Sequence, residues 1–473
     1  MSPAPIGRRS AAAAVAAPLS TPWRAWCRFW FEPISTVTIG LYRALYGLCV
    51  LLFVLLFLPN VTDFFGARAV LGPATVHHLL WPGNLWWGPE PHPSVLFWLT
   101  DPLAVRLFFV VLGVAALCLT IGLWSRWSAA VVFVGLVSIG RANPLALNGA
   151  DVVLRVSGFY LIFAPSGAAF SVDRLRALAR GRAPARPPLS PPWVQRLLQL
   201  QIALIYASTV LLKLKGQAWV NGTALYYTTR LEEFHRFPVP FLAHSMLLIN
   251  LATYWTLAVE VAMAFLVWIP PLRAFVLLNG LLLHAGIEYS MNIPQFSAAI
   301  LAGYVLFTDV EGWWQRMCVR WPLRRLPRAR LAFDPGDRRA LRGLGVLRSL
   351  DLFAQLSVEA APPGSAAATI VTPDGDRLAG AGAARWLRAH LLVLRLLAVF
   401  APLSREFPGL AWMRGSAPDE ACMPLAGDGL AARPSTARRR AMRAWPIRHN
   451  RLSSCVDAAI RGVLRWLRRK EVM

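Results

Sequence analysis

The hydrophobic positions of this chain come in long blocks instead of alternating. They cluster at about Ile34–Leu58, Leu103–Leu123, Trp127–Gly140, Val152–Pro165, Trp193–Leu212, Leu247–Ile269, Leu272–Tyr289 and Gln295–Phe307. A helix needs roughly 20 apolar residues to cross a hydrocarbon core about 30 Å thick, and the longer blocks meet that length. Backbone polar groups find no water in that core, so each block is expected to be a helix. The pattern predicts an all-α polytopic membrane bundle of about eight helices, the fourth block being the shortest. Breaks between blocks carry their own signals. In Arg141–Arg155, Pro144 and Gly149 interrupt the helix, and Asn148 and Asp151 occupy capping positions before the next one. Trp23–Glu32 mixes Trp and Phe with Arg24 and Arg28 and reads as an interfacial lead-in helix. The Pro-, Gly- and Trp-rich connector Pro59–Pro93 reads as a cap lying at the membrane surface.

From Leu331 the pattern changes to shorter periods. Ala367–Val371 predicts a strand, Pro373–Asp376 a turn and Gly382–Val399 an amphipathic helix. The expected organisation is a disordered segment 1–22, a membrane domain 23–315 and a basic linker 316–330. A small soluble C-terminal α/β domain, 331–455, and a basic tail helix, 456–473, complete it.

Composition agrees with the blocks. Of 473 residues, 56% are hydrophobic and only 15% charged, which puts much of the chain in lipid. The net charge is +25, with arginine crowded near the N-terminus, between Arg174 and Arg186, and after Arg316. Basic stretches beside membrane helices face the cytoplasm and anionic lipid. This rule predicts an integral plasma (inner) membrane protein with both termini cytoplasmic. It puts the Trp-rich connector, the Asn148 corner, the lysines and the end of the His284 helix on the outer side. Membrane lipids are the expected partners; with no aromatic-basic module or zinc pattern, nucleic acid is not. The six cysteines form no CxxC pair, hence no disulfide framework or metal site is expected. The N-terminus lacks the apolar core and cleavage site of a signal peptide.

Candidate chemistry gathers where the fifth block ends. Lys213 and Lys215 precede a break at Gly216, and Trp219, Asn221 and Gly222 follow. Lysines at the edge of hydrocarbon have two readings. They are snorkelling anchors, or functional groups, because shielding from water disfavours a charged amine and frees it to act as a base. His284 and Glu288 share a helix face and are expected to bond to each other; no third ligand suggests a metal. Glu260, in mid-block, is expected to be neutralised by Arg43 or Arg155. No nucleotide loop or serine-hydrolase elbow is present.

The motifs Arg141…Asn148-Gly149-Ala-Asp151…Arg155, Phe163-Ala-Pro-Ser-Gly167…Ser171-Val-Asp173, Leu212-Lys213-Leu-Lys215-Gly216…Trp219…Asn221-Gly222 and His284…Phe296 together resemble the HTTM (horizontally transferred transmembrane) domain. Vitamin K-dependent γ-carboxylase shares this domain. The resemblance covers roughly residues 25 to 315. It implies a catalytic set of Lys213, Lys215, His284 and Asn148, with Lys213 the leading base and Lys215 the alternative. It implies substrate contacts from Trp219, Gly222, Asp151 and Phe296, and a quinol such as vitamin K hydroquinone as the lipid-soluble partner. Gly149 stands where the carboxylase has a histidine, and its large lumenal domain has no counterpart here. The tail resembles a DCC-type thiol-disulfide oxidoreductase domain of thioredoxin-like fold, with Arg338 and Leu341 in place of its two cysteines. Two functions are therefore expected: lysine-base chemistry on a quinol-like substrate, of carboxylase or epoxidase type, or non-catalytic membrane assembly in which the redox-dead tail recruits a protein partner.

Overall fold

A computed structural model of the chain describes residues 21–66, 69, 72, 75–76, 94–99, 101–144, 147–184, 187–240, 244–320, 328–334, 336–351, 355–361, 368–391 and 393–394. Most of the Trp-rich connector, most of the N-terminal segment, residues 321–327 of the linker and everything after 394 lie outside the described residues. The expectations for those stretches are not taken further.

The described membrane part is helical. In chain order it comprises α1 (Thr21–Phe31), α2 (Val37–Phe57), α3 (Val61–Phe64), α4 (Pro102–Ile121), α5 (Ser125–Ala142), α6 (Gly149–Phe163), α7 (Val172–Ala179) and α8 (Trp193–Lys213). There follow α9 (Gln217–Val220), α10 (Ala224–Thr228), α11 (Met246–Phe265), α12 (Pro270–Ser290), α13 (Phe296–Tyr304) and α14 (Val310–Arg320). Five stretches are long and apolar enough to cross a membrane: Val37–Phe64, Pro102–Ile121, Trp193–Lys213, Met246–Trp268 and Pro270–Ser290. The other three hydrophobic blocks are helical too, but they are shorter or more polar. α5 carries Arg126 and Arg141 at its two ends, α6 has 15 residues around Arg155, and Phe296–Phe307 is a short apolar helix. Of the eight helices expected, five are thus long and apolar enough to span a membrane, and three shorter or more polar ones pack in the same bundle.

Local signals set the helix ends. Asp101 Oδ2 accepts from Ala104 N at 3.0 Å, Pro102 opens α4, and Gly122, with φ of 72°, closes it. The Asn148 corner forms a capping box: Asn148 Oδ1 accepts from Ala150 N at 2.8 Å, and Asp151 Oδ2 accepts from Asn148 N at 2.7 Å. β1 (Ile34–Ser35) pairs antiparallel with β2 (Leu189–Ser190), and Ser35 Oγ donates to Glu311 Oε2 at 2.5 Å.

One apolar core runs through α2, α4, α5, α6, α8, α11, α12 and α13. At its edge Arg43 is fully buried, and its Nη2 donates to the carbonyls of Phe170 at 2.6 Å and Thr120 at 3.4 Å. It therefore caps backbone instead of neutralising Glu260. Gly122 makes room for it: a Cβ there would stand 1.6 Å from Arg43 Nη1.

The C-terminal part is β3 (Ala329–Phe333), α15 (Arg338–Leu350), β4 (Leu356–Ala360), β5 (Thr369–Val371), β6 (Arg377–Ala379) and α16 (Gly380–His390). The sheet order is β4-β3-β5-β6, with β3 and β4 parallel and the remaining pairs antiparallel. Alternation sends Ala329, Leu331 and Phe333 inward against α15 and α16. Leu178 of α7 belongs to this second core and touches the helix surface at Gly345. The loop between α6 and α8 thus contributes to the packing of the C-terminal sheet.

Candidate functional site

α8 presents Tyr206, Thr209 and Lys213 on one face, at i, i+3 and i+7, as the helical repeat requires. That face meets α11 and brings the two charged groups together. Lys213 Nζ donates to Glu260 Oε1, and Thr209 Oγ1 donates to the second carboxylate oxygen at 3.5 Å. The Glu260 side chain is 7% exposed and that of Lys213 24%, so the pair is buried at the acid and opens at the amine. The helix stops at Lys213, and the chain re-enters as α9, which lays the Trp219 ring 4.8 Å from the ammonium.

One helical layer deeper, Tyr206 Oη bonds to His284 Nε2 at 2.7 Å and to Tyr304 Oη at 2.6 Å. Gly280, one turn before His284, permits this: a Cβ at that position would lie 2.3 Å from Tyr304 Oη. His284 is 2% exposed, packs against the Phe296 ring at 5.7 Å, and its Nδ1 has no partner. The amide of Gln295, in the left-handed region at the start of α13, is likewise buried with neither atom bonded. Buried polar atoms are nearly always satisfied, so unpartnered ones beside a ring mark a place for water or a ligand.

The structure joins some of the predicted residues and separates others. Lys213, Trp219, His284 and Phe296 fall in one neighbourhood, with the Lys213 ammonium within electrostatic range of His284. Asn148 is tied to it through its Nδ2, which donates to Pro294 O at 3.2 Å, and Gly149 packs on Phe296. Asn148 and Asp151 spend their remaining capacity on the capping box. Lys215 is exposed, and no described contact joins it to the pair. Gly222, with φ of 76°, lets its turn approach Tyr254, which donates to Val220 O at 2.9 Å. The expected His284–Glu288 bond is absent. Glu288 turns to Arg236, whose Nη1 donates to Oε1 at 2.6 Å, and the imidazole bonds Tyr206 through Nε2. Arg155 lies beside Gly140, with Asp151 and Arg141 as its charged neighbours, and does not reach Glu260. An open cleft of about 390 Å³ lined by Thr229, Arg230, Glu232 and His235 contains none of the predicted residues. Among the described residues no group of His, Cys, Asp and Glu could hold a metal ion.

Glu260 as the partner of Lys213, and Tyr206, Thr209, Tyr304 and Gln295 around them, were not anticipated. One signal was in the sequence: the chain has three lysines against 46 arginines. Where arginine serves nearly every cationic role, two of three lysines at one helix end ask for a property arginine lacks, the readiness to give up a proton.

The chain belongs to the HTTM domain family: residues 64–313, more than half its length, match that domain. Comparison with curated proteins and with solved structures gives no match.

Proposed function

We propose that this membrane protein abstracts a proton from a lipid-soluble, quinol-like substrate, with Lys213 as the base. The observation that carries the reading is the lysine, in an arginine-dominated chain, set in the membrane part beside Glu260 and under Trp219. The unpartnered His284 Nδ1, on a ring 5.7 Å from that of Phe296, supports it, because a ligand oxygen would satisfy it. In this reading the resemblance to the membrane domain of vitamin K-dependent γ-carboxylase extends to chemistry. Vitamin K hydroquinone is then the first substrate to test, approaching through an outer-side cavity. Asn148 and Asp151 support the Phe296 corner, Gly222 shapes the loop, and Lys215 is the alternative base. The chain crosses a bacterial inner membrane about eight times with both termini cytoplasmic.

The tail, in the same reading, is a DCC-type thioredoxin-like domain without its thiols. Its parallel β-α-β unit followed by an antiparallel β-β-α unit supports this. Arg338 and Leu341 open α15 where the two cysteines are expected, so dithiol exchange has no nucleophile there.

The test is hydroquinone-dependent turnover in membranes. Lys213→Ala is expected to lose about 10²–10⁴-fold, the usual contribution of a general base. Equal turnover in both proteins removes the lysine from the mechanism. A second reading, non-catalytic assembly through the tail, is favoured by one observation: Asn148 and Asp151 are engaged in their own helix cap. A stoichiometric partner that co-purifies with the full chain and is lost on deleting residues 331–473 would support it.

A further inference from the structure

We propose that Glu260 is a positioning residue for Lys213: it takes the amine's proton when an apolar ligand closes the site, and so delivers Lys213 as a free base. This inference rests on the base reading above. Lys213 Nζ touches one carboxylate oxygen, while the other lies 3.5 Å from Thr209 Oγ1, whose shorter bond is to Tyr206 O at 2.9 Å. The pair opens at the lysine end, since the amine side chain is 24% exposed and the acid 7%, and that end is where water enters in this scheme. The titratable groups facing the pair are Tyr206 on α8, His284 on α12 and Tyr304 on α13, with Lys215 further along the same segment. None of these is an acid that competes for the amine at neutral pH.

A buried ion pair is kept charged by the water that still reaches it, and losing that water penalises both charges. An apolar ring laid over the open end of Lys213 removes it. One proton then moves from Nζ to Oε1: an N–H bond breaks, an O–H bond forms, and the pair becomes amine and carboxylic acid with no change of net charge. The amine next accepts the hydroxyl proton of the quinol-like substrate, whose O–H electron pair stays on oxygen. The products are ammonium, carboxylic acid and substrate anion, and no further reactant is needed. A lone ammonium would have to give its proton to bulk water before the site closed, whereas the carboxylate takes it in place. The carboxylate makes the base dependent on occupancy, so Lys213 is held protonated until a substrate is in place.

The scarcity of lysine allows a test that needs no known substrate. The full-length protein in detergent is treated near neutral pH with a small acylating reagent, and the peptide carrying Lys213 and Lys215 is followed by fragment mass spectrometry. Only the uncharged amine reacts. Replacing Glu260 by Gln removes the charge that keeps the ammonium and should speed acylation of Lys213 about tenfold or more, the effect of one pKa unit. Glu260→Asp should stay near wild type, and exposed Lys215 should react alike in all three proteins. In a second arm, menadione serves as the apolar probe. Its addition should produce a carboxylic C=O infrared band in wild type that Glu260→Gln lacks. Equal Lys213 acylation in wild type and Glu260→Gln overturns the proposal, and so does a probe that binds without producing the band. Should Glu260→Gln fail to fold, Glu260→Ala carries the comparison, with the same rise expected, and a Lys213 rate equal to wild type is equally fatal. The base reading fails separately: acylation can behave as stated while Lys213→Ala turns over normally.

Discussion

The membrane part holds two cations in contrasting ways, Arg43 buried and Lys213 half-buried. Arg43 is wholly enclosed and gives its guanidinium to two backbone carbonyls, which offer a fixed dipole and no place for a proton. Lys213 stays partly exposed and faces a carboxylate that can accept what it gives up. Both meet the same cost of placing charge in hydrocarbon. Arginine meets it as a permanent clamp joining α2 to the loop before α7, while lysine meets it as half of an exchangeable pair. A buried charge is thus read by its partner: carbonyls imply a fastening, a carboxylate implies a proton that can move.

The comparison breaks most sharply at Lys213→Arg. Arginine keeps the charge and can keep Glu260 company, so the melting temperature of the purified chain should hold, while turnover falls about 10²–10⁴-fold. Retained turnover would mean that the site needs only a cation. Arg43→Lys is the converse exchange. Lysine's shorter side chain leaves its one nitrogen short of the place where the fork's Nη2 bonds both carbonyls, and one buried acceptor left unsatisfied costs about 1–3 kcal/mol. A lowered melting temperature with an unaltered acylation rate at Lys213 is expected, and an unchanged melting temperature would show that the fork is dispensable. The smallest effect belongs to Asn148→Ala, which removes the cap of α6 at about 1 kcal/mol. Thermal unfolding measures it, and Asn148→Asp, another good cap, should recover most of the loss.

Legibility followed range along the chain. The capping box at Asn148 and Asp151, the stop after Lys213, the amphipathic helix Thr21–Phe31 and the turn before Asp376 are decided by residues a few positions apart, and the sequence pattern predicted each of these elements. The amphipathic helix expected over Gly382–Val399 begins two residues early and ends at His390. The pairings of buried charges were the part misread. Glu260 was assigned to Arg43 or Arg155, yet its partner is Lys213, 47 positions away. His284 was assigned to Glu288 on its own helix, yet it bonds Tyr206, 78 positions away, and Glu288 bonds Arg236. Helical spacing says which residues share a face but not which neighbouring helix that face meets.

The sequence alone determined that this chain lives in a membrane, where its helices lie and that two of its three lysines sit at one helix end. Each follows from apolar length, local capping and composition. Only the tertiary structure decided what those lysines face. Helix packing is set by the fit of whole surfaces, and there the closeness of Gly280 to Tyr304 and the glycine space around Arg43 choose the partners. The Lys213–Glu260 pair is a product of that fit.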